Sequence, residues 1–145
     1  MKIRAATKAD LRDIVRLEQG AFGEHGYPDF FIRQALDLWP GALLVAESEG
    51  EPVGYTLGGA GEVKGQGWVL SLAVAETHRG LGIGRALLQR LLAELALRGC
   101  NDLRLTVHPN NPAAGLYRSL GFEFETAESD YFGPGEPRQV LLRRG

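Results

Sequence analysis

The sequence contains one cysteine, no long apolar run and no excess of charge of one sign. The single Cys100 excludes an internal disulfide framework and a cysteine-built zinc site, so we expect no metal centre. No apolar stretch reaches the roughly 20 residues that a membrane-spanning helix needs, and the polar start Met1–Arg4 is unlike a secretory signal. These absences predict a cytoplasmic protein with no membrane partner.

The charge balance argues against another class of partner. The formal net charge is −2 at pH 7, whereas nucleic-acid-binding domains usually carry a clustered excess of positive charge. We therefore expect no nucleic-acid partner. The chain of 145 residues, 44% of them hydrophobic, is long enough to bury one core. We predict a single domain over residues 1–145.

Glycine is abundant, at 20 of 145 residues against a usual share of about 7%. Three glycines stand in the segment Arg79-Gly80-Leu81-Gly82-Ile83-Gly84-Arg85, which follows the apolar run Trp68–Val74 and precedes a helical apolar pattern. The first N–H groups of a helix have no intrahelical partner, and the helix dipole makes that end positive. This segment therefore predicts a turn that binds a phosphorylated ligand.

The hydrophobic pattern predicts an α/β domain with a mixed sheet. Helices are indicated after Thr7, over Asp29–Leu38, from Gly82 to a cap at Gly99, and after Asn111-Pro112. Strands are predicted over Lys2–Ala6, Ala42–Ser48, Val53–Ala60, Trp68–Val74, Asp102–Val107, Phe122–Ala127 and Arg138–Arg143. The order β-α-α-β-β-β-α-β-α-β-β implies an early antiparallel sheet and one right-handed βαβ crossover around the glycine turn.

Two common phosphate-binding motifs do not match the glycine turn. A P-loop needs Lys-Ser or Lys-Thr after its last glycine, but Gly84 is followed by Arg85-Ala86. A dinucleotide-binding fold needs G-x-G-x-x-G and an acidic residue at the end of the next strand. Here the spacing is Gly80-x-Gly82-x-Gly84, and Asp102 begins its strand. The spacing argues against a nucleoside triphosphatase and a dinucleotide-binding enzyme.

The same segment resembles the signature Arg/Gln-x-x-Gly-x-Gly/Ala of the GCN5-related N-acetyltransferases. It follows a strand that ends in the apolar triplet Leu72-Ala73-Val74, as in that family. A second family signature, Val-x-Pro-x-Asn followed by Leu-Tyr-x-x-x-Gly-Phe, is similar to Val107–Asn111 and Leu116–Phe122. The resemblance runs almost from end to end. It implies one N-acetyltransferase domain with a twisted mixed sheet of about seven strands and about four helices, splayed at the cofactor site.

The resemblance implies transfer of an acetyl group from acetyl-CoA to a primary amine by direct attack in a ternary complex. We expect a protein N-terminus as acceptor, because Asp130–Arg138 resembles the last hairpin of the branch that acetylates the N-terminal alanine of a ribosomal protein. That branch has a glutamate where this chain has Thr106. A small-molecule amine (polyamine, amino sugar or amino acid) and a non-catalytic acyl-CoA sensor stay as alternatives. The oligomeric state, monomer or homodimer, stays open.

The resemblance also implies a set of cofactor-binding residues. The backbone N–H groups from Gly80 to Arg85 would hold the diphosphate, and the side chains of Arg79 and Arg85 would add charge at the rim or stay solvated. A free N–H near Leu72 or Ala73 would polarise the thioester carbonyl. Asn111 either caps the next helix or contacts the cofactor. The predicted set is Leu72, Ala73, Val74, Arg79, Gly80, Leu81, Gly82, Ile83, Gly84, Arg85 and Asn111.

Tyr117 is the predicted catalytic residue. A phenol, whose pKa is ordinarily near 10, can protonate the departing CoA thiolate. The alternative is a tyrosine that only covers the core. No side chain stands out as the base for the amine among His25, Glu47, His108, Glu123 and Asp130, so a water relay is expected.

The acceptor groove is predicted between two segments, the loop Glu24–Phe30 and the hairpin tip Tyr131–Gly135. Aromatic side chains suit such a groove, and the alternative is that they pack beneath the loops. The predicted acceptor-binding residues are Tyr27, Phe30 and Tyr131, with Phe132 beside them.

Overall fold

The computed structural model describes residues 1–145 as a seven-stranded mixed sheet with helices on both faces. The strands lie side by side in the order β1-β2-β3-β4-β5-β7-β6. Only β4 and β5 run parallel, and every other neighbouring pair is antiparallel. The strands are β1 Lys2–Ala5, β2 Leu43–Ser48, β3 Glu51–Ala60, β4 Gln66–Val74, β5 Asp102–Val107, β6 Glu123–Glu128 and β7 Arg138–Arg143.

Four α-helices join these strands. They are α1 Leu11–Phe22, α2 Asp29–Leu38, α3 Ile83–Leu97 and α4 Ala114–Ser119. Thr7 and Asp10 form a capping box before α1, and Gly99, with φ +82°, follows α3 in the left-handed conformation. The order of elements is the predicted one, and the prediction of a mixed sheet with about seven strands and about four helices is confirmed.

Each face of the sheet has its own hydrophobic core. On one face α3 buries Leu87, Leu88, Leu91 and Leu95 together with Phe122. On the other face α1 and α2 bury a second set of side chains, among them Ile14, Ile32, Leu43 and Tyr55. The sheet therefore separates the two helical layers.

A β-bulge at Leu70 interrupts β4. In the register with β3, Leu57 lies opposite Ser71 whereas Gly58 lies opposite Val69, so Leu70 is the extra residue. The bulge reverses the alternation of side chains along the strand. Val69 belongs to the core under α3, while Ala73, which simple alternation would place on the same face, belongs to the core under α1 and α2.

Beyond the bulge β4 and β5 separate. Their pairing runs from Gln66 opposite Asp102 to Val69 opposite Leu105 and stops there. The end of β5 continues to pair with β7, through Thr106 and Val107. The result is a V-shaped opening between β4 and β5 in the middle of the sheet. This opening is the splaying of strands that was predicted.

The start of the last helix differs from the prediction. It begins at Ala114 rather than Pro112, because the Ala114 N–H donates to the Asn111 carbonyl and closes a turn around Pro112 and Ala113. The terminal strands pair as expected, but β7 lies between β5 and β6, an arrangement on which the local pattern carried no information. None of the helices is both long enough and apolar enough to span a lipid bilayer.

Candidate active site

The glycine turn lies between β4 and α3. Gly80 and Gly82 have φ values of +79° and +81°, the left-handed region that other residues adopt at a cost. A Cβ atom at either position would meet no other atom within 4 Å. The glycines are therefore needed for the path of the chain, and they leave the backbone open to approach from outside.

The backbone donors of this turn have no acceptors within the protein. Ala86 is the first residue of the helix start whose N–H is bonded, to the Gly82 carbonyl at 3.1 Å. The six preceding N–H groups, from Gly80 to Arg85, donate to no protein acceptor. Together with the positive end of the 15-residue helix α3, they form a concave site for an anion.

Two arginines border the turn. Arg79 Nε donates to the carbonyl oxygen of Val74 at 3.2 Å. Arg85 Nη2 donates to Ser119 Oγ, at the end of α4, at 2.8 Å. Both bonds are solvent-exposed, so both guanidinium groups lie at the rim with donors to spare.

The edge of β4 that faces the opening carries further unpaired donors. Ala75 N–H donates to Val53 O at 2.8 Å, so alternation along an antiparallel pair turns the N–H of Ala73, opposite Tyr55, towards β3 as well. The N–H groups of Leu72 and Val74 point the other way, to the side that β5 has left. Of the two positions predicted for a free N–H, the register favours Leu72 over Ala73.

Two cavities meet at this opening. The first, here the turn cavity, has a volume of about 700 Å³ and extends from the glycine turn to the start of α4. The second, here the loop cavity, has a volume of about 410 Å³ and extends from β4 and β5 to the two loops above them. They share five lining residues, Phe22, Leu72, His108, Asn111 and Tyr117.

Tyr117 lies where the two cavities join. Its side chain packs edge-on against Phe122, with ring centroids 6.1 Å apart, and the residue is 8% exposed. The hydroxyl makes no hydrogen bond to the protein. Burial raises the pKa of Tyr117 to about 12, because an apolar environment disfavours the charged phenolate. The phenol therefore stays protonated at neutral pH and has a proton to donate.

Asn111 performs the predicted capping role, and its contact with the cofactor stays a prediction. Its Oδ1 accepts a hydrogen bond from Ala113 N–H at 2.8 Å, which is a local cap ahead of α4. The residue also lines both cavities, and its amide nitrogen makes no hydrogen bond to the protein. Capping uses only the oxygen, so the nitrogen remains available as a donor.

The three aromatic residues predicted for acceptor binding occupy different places. Tyr27 lines the loop cavity, where burial and then the charge of Glu18 raise its pKa to about 12. Phe30 is 61% exposed and does not line the cavity, because the first turn of α2 directs Phe31 towards Tyr27 instead, with ring centroids 4.6 Å apart. The Tyr131 ring packs at 4.8 Å against Phe132, which lines the cavity where Tyr131 does not.

The sequence analysis missed Glu18, a buried carboxylate. Glu18 is 2% exposed and lines the loop cavity. It accepts hydrogen bonds from Ser71 Oγ at 2.6 Å, from the Tyr55 hydroxyl and from the Tyr27 N–H at 2.9 Å. The signal was its spacing, because Glu18 stands four residues after Ile14 on the apolar stripe of α1.

The remaining candidates for a base are divided between the site and the rest of the surface. Thr106 and His108 line the loop cavity. Glu47 forms an ion pair with Arg4 at 3.0 Å, at the β1 edge of the sheet, and neither Glu123 nor Asp130 lines either cavity. His25 lies above the loop cavity, with Nδ1 3.3 Å from Glu136 Oε1, so the two loops meet there.

Comparisons with known proteins agree with this architecture. The Acetyltransferase (GNAT) family model matches residues 9–122. The N-alpha-acetyltransferase of Sulfurisphaera tokodaii is 34% identical over an alignment of 152 positions, gaps included, that covers 97% of this chain and 90% of that protein. The ribosomal-protein-alanine N-acetyltransferase structure from Brucella melitensis is 29% identical, with a TM-score of 0.84 and full coverage of both chains.

A further solved structure is similar in fold at lower sequence identity. Ard1 from Thermoplasma volcanium superposes with a TM-score of 0.91 at 23% identity, over 99% of this chain and 96% of that one. The family model covers well over half of the chain, and the relative from Sulfurisphaera tokodaii matches nearly all of it. The chain therefore belongs to the GCN5-related N-acetyltransferase (GNAT) family of acetyltransferases.

Proposed function

We propose that this chain transfers an acetyl group from acetyl-CoA to the N-terminal amine of a protein or peptide. The observation that carries the proposal is the run of six unpaired N–H groups from Gly80 to Arg85, beside an open strand edge. The acceptor class is supported by the names of two relatives, an N-alpha-acetyltransferase and a ribosomal-protein-alanine N-acetyltransferase.

The residues around the turn cavity fit acetyl-CoA. The N–H groups from Gly80 to Arg85 hold the diphosphate, and Arg79 and Arg85 add positive charge at the rim. Leu81 contributes its N–H alone, since its side chain is 69% exposed. The outward N–H groups of Leu72 and Val74 offer hydrogen bonds to the pantetheine arm, as an added strand would use them. Ala73 and Asn111 also line this cavity.

Two groups in the opening perform the chemistry. Acetyl-CoA supplies an acetyl thioester with a thiolate as leaving group. The Leu72 N–H polarises the thioester carbonyl, and one donor of this kind contributes about 3–4 kcal/mol of transition-state stabilisation in other enzymes. The Tyr117 hydroxyl, which like any phenol is protonated at neutral pH, donates its proton to the departing sulfur and regains one from solvent after the attacking nitrogen releases its second proton.

The amine loses its proton to water rather than to one essential side chain. Thr106 stands where a glutamate would be expected and has no basic group. His108 lines both cavities, and its Nδ1 accepts a hydrogen bond from the Asn110 N–H at 3.1 Å, which leaves Nε2 to hydrogen-bond a water molecule in this relay.

The loop cavity receives the acceptor. Tyr27 and Phe132 present aromatic surface to it, and Tyr131 acts through its contact with Phe132. The loops that carry His25 and Glu136 meet above the cavity. A chain end that enters this cavity places its amine near Leu72, which also lines it, whereas Phe30 lies on the outer surface and does not line the cavity.

A screen of acceptors tests this function. The purified protein is incubated with acetyl-CoA and four acceptor classes: peptides with free N-termini, N-blocked lysine peptides, polyamines and amino sugars. The released thiol and the product mass are then measured. We expect turnover with free N-termini and an acetyl group on the α-nitrogen. Turnover with small amines alone would contradict the acceptor class, and CoA binding without any turnover would support the sensor alternative.

A further inference from the structure

The loop cavity contains a buried carboxylate that the proposed chemistry does not use. Glu18 is 2% exposed, although it lines the cavity. Charged side chains are seldom buried this deeply unless another group balances the charge. The acetyl transfer described above does not account for this buried carboxylate.

The partners of Glu18 stabilise its charge without neutralising it. All three donors, the Ser71 hydroxyl, the Tyr55 hydroxyl and the Tyr27 N–H, are neutral. No lysine, arginine or histidine forms an ion pair with Glu18, although eight arginine–carboxylate ion pairs occur elsewhere in the chain. Arg138 and Glu136 also line the cavity, but they pair with each other at 3.7 Å, so the charge of Glu18 leaves net negative charge at the inner end.

The carboxylate also has capacity to accept another hydrogen bond. Two ionised oxygens offer about four acceptor positions, and the three donors occupy three of them. Burial, and then the charge of Glu18, raises the pKa of Tyr55 well above its ordinary value, so that hydroxyl stays a donor. A cationic donor from the cavity would complete the set.

The position of this charge matches the path of the acceptor. Ser71, which donates to Glu18, lies between the bulge at Leu70 and the unpaired N–H of Leu72. Residues along a strand are about 3.3 Å apart. The charge is thus close to the point where the amine must attack, and it lies on the face that α1 covers, across the sheet from α3.

We propose that Glu18 binds the acceptor amine in its ammonium form and positions it at the opening before the proton leaves to water. This inference rests on the proposed function and specifies the acceptor further. A free amine is protonated near pH 7, so the acceptor arrives as a cation. A buried carboxylate favours a cationic donor over neutral hydroxyl or thiol groups. Glu18 thereby selects amines from other nucleophiles.

Two peptides of the same sequence test the proposal. One has a free N-terminal ammonium group, and in the other a hydrogen atom replaces that amino group. Their affinities for the CoA-bound protein are measured by calorimetry, so that no turnover occurs. We expect the wild-type protein to bind the ammonium peptide at least tenfold more tightly, and Glu18→Gln to bind both peptides equally with unchanged affinity for CoA.

Ser71→Ala is the matched control, because it removes one neutral donor from the same cluster and leaves the charge. It should keep most of the preference for the ammonium peptide. Equal binding of both peptides by the wild-type protein would overturn the inference without any variant, as would a full preference in Glu18→Gln. Binding of neither peptide by the wild-type protein would contradict the proposed acceptor class itself and this inference with it.

Discussion

Val69 on β4 and Leu105 on β5 are the last residues at which these two parallel strands pair. One residue further on, Leu70 forms the bulge that turns β4 away, while β5 continues its pairing with β7. The sheet therefore opens where α3 begins, and Tyr117 from α4 lies beside that opening. The break in strand pairing thus lies where the two cavities share their lining residues.

Removing the Tyr117 hydroxyl separates catalysis from binding. Tyr117→Phe keeps the ring in its contact with Phe122 and deletes the proton donor. We expect turnover to fall by about 10² to 10⁴, the usual contribution of a positioned acid, with acetyl-CoA affinity unchanged within about twofold. Steady-state kinetics and calorimetry measure the two quantities. Wild-type turnover in the variant would show that another group protonates the thiolate.

A carboxylate in the glycine turn should abolish binding of acetyl-CoA. Gly82→Glu places negative charge and bulk beside the unpaired N–H groups, and we expect at least a hundredfold loss of affinity by calorimetry. Gly99→Glu is the matched control, because Gly99 has nearly the same φ, +82° against +81°, and lies past the other end of α3.

Both glycine substitutions force a side chain into the left-handed region, at a cost of about 1–2 kcal/mol in the free energy of unfolding. A difference in acetyl-CoA affinity between the two variants therefore results from the charge and bulk placed in the glycine turn, and not from backbone strain, which both variants share. Similar affinities in Gly82→Glu, Gly99→Glu and the wild-type protein would place the cofactor elsewhere.

Alkaline conditions should destabilise the protein, in part through Tyr117. Burial raises its pKa from 10.0 to about 12, so between these values the unfolded chain ionises while the folded one does not. Stability is full below pH 10 and declines as the pH rises towards 12. Phenylalanine cannot ionise. Between pH 8 and pH 11 the free energy of unfolding should therefore fall by about 1 kcal/mol less in Tyr117→Phe than in the wild-type protein. Urea unfolding at both pH values measures this, and equal losses would contradict it.

If water takes the proton from the amine, substitutions of the polar residues Thr106 and His108 should have little effect on turnover. Thr106→Val and His108→Gln each change one side chain of the loop cavity. Since water carries the proton, we expect kcat at pH 8 to fall by less than about tenfold in either variant. A loss beyond a hundredfold in His108→Gln, with unchanged peptide affinity, would identify His108 as an essential base, and the same loss in Thr106→Val would show that the relay requires the Thr106 hydroxyl.

Much of the fold follows from local pattern. The bounds of α2, β5 and β7 agree with the hydrophobic periodicity residue for residue, and Gly99 ends α3 as a glycine cap should. The glycine turn was visible because it needs specific backbone conformations, which few residues other than glycine adopt.

Features that depend on long-range pairing could not be predicted from local pattern. The bulge at Leu70 decides which face each later residue of β4 occupies, yet it is visible only against the register with β3. The place of β7 between β5 and β6 is likewise a property of the whole sheet. The family resemblance supplied the splayed strands, whereas the residues themselves gave no sign of where the splaying begins.

Glu18 and Phe30 show that the sequence did not fully predict which side chains face the loop cavity. A carboxylate on an apolar helix stripe reads as one polar interruption, and its donors Tyr55 and Ser71 lie 37 and 53 residues away in the chain. Phe30 is aromatic and close to the groove in sequence, but the helical turn directs its neighbour Phe31 inward instead.

Backbone amide shifts on titration with CoA test the central claim most directly, namely that the unpaired donors of the glycine turn hold the diphosphate. In a ¹⁵N-labelled sample, we expect the largest downfield amide proton shifts at Gly80–Arg85, because these six N–H groups gain acceptors. Amides at Gly99 should not move. Unchanged signals from Gly80–Arg85, with large shifts on another surface at saturating CoA, would contradict the claim.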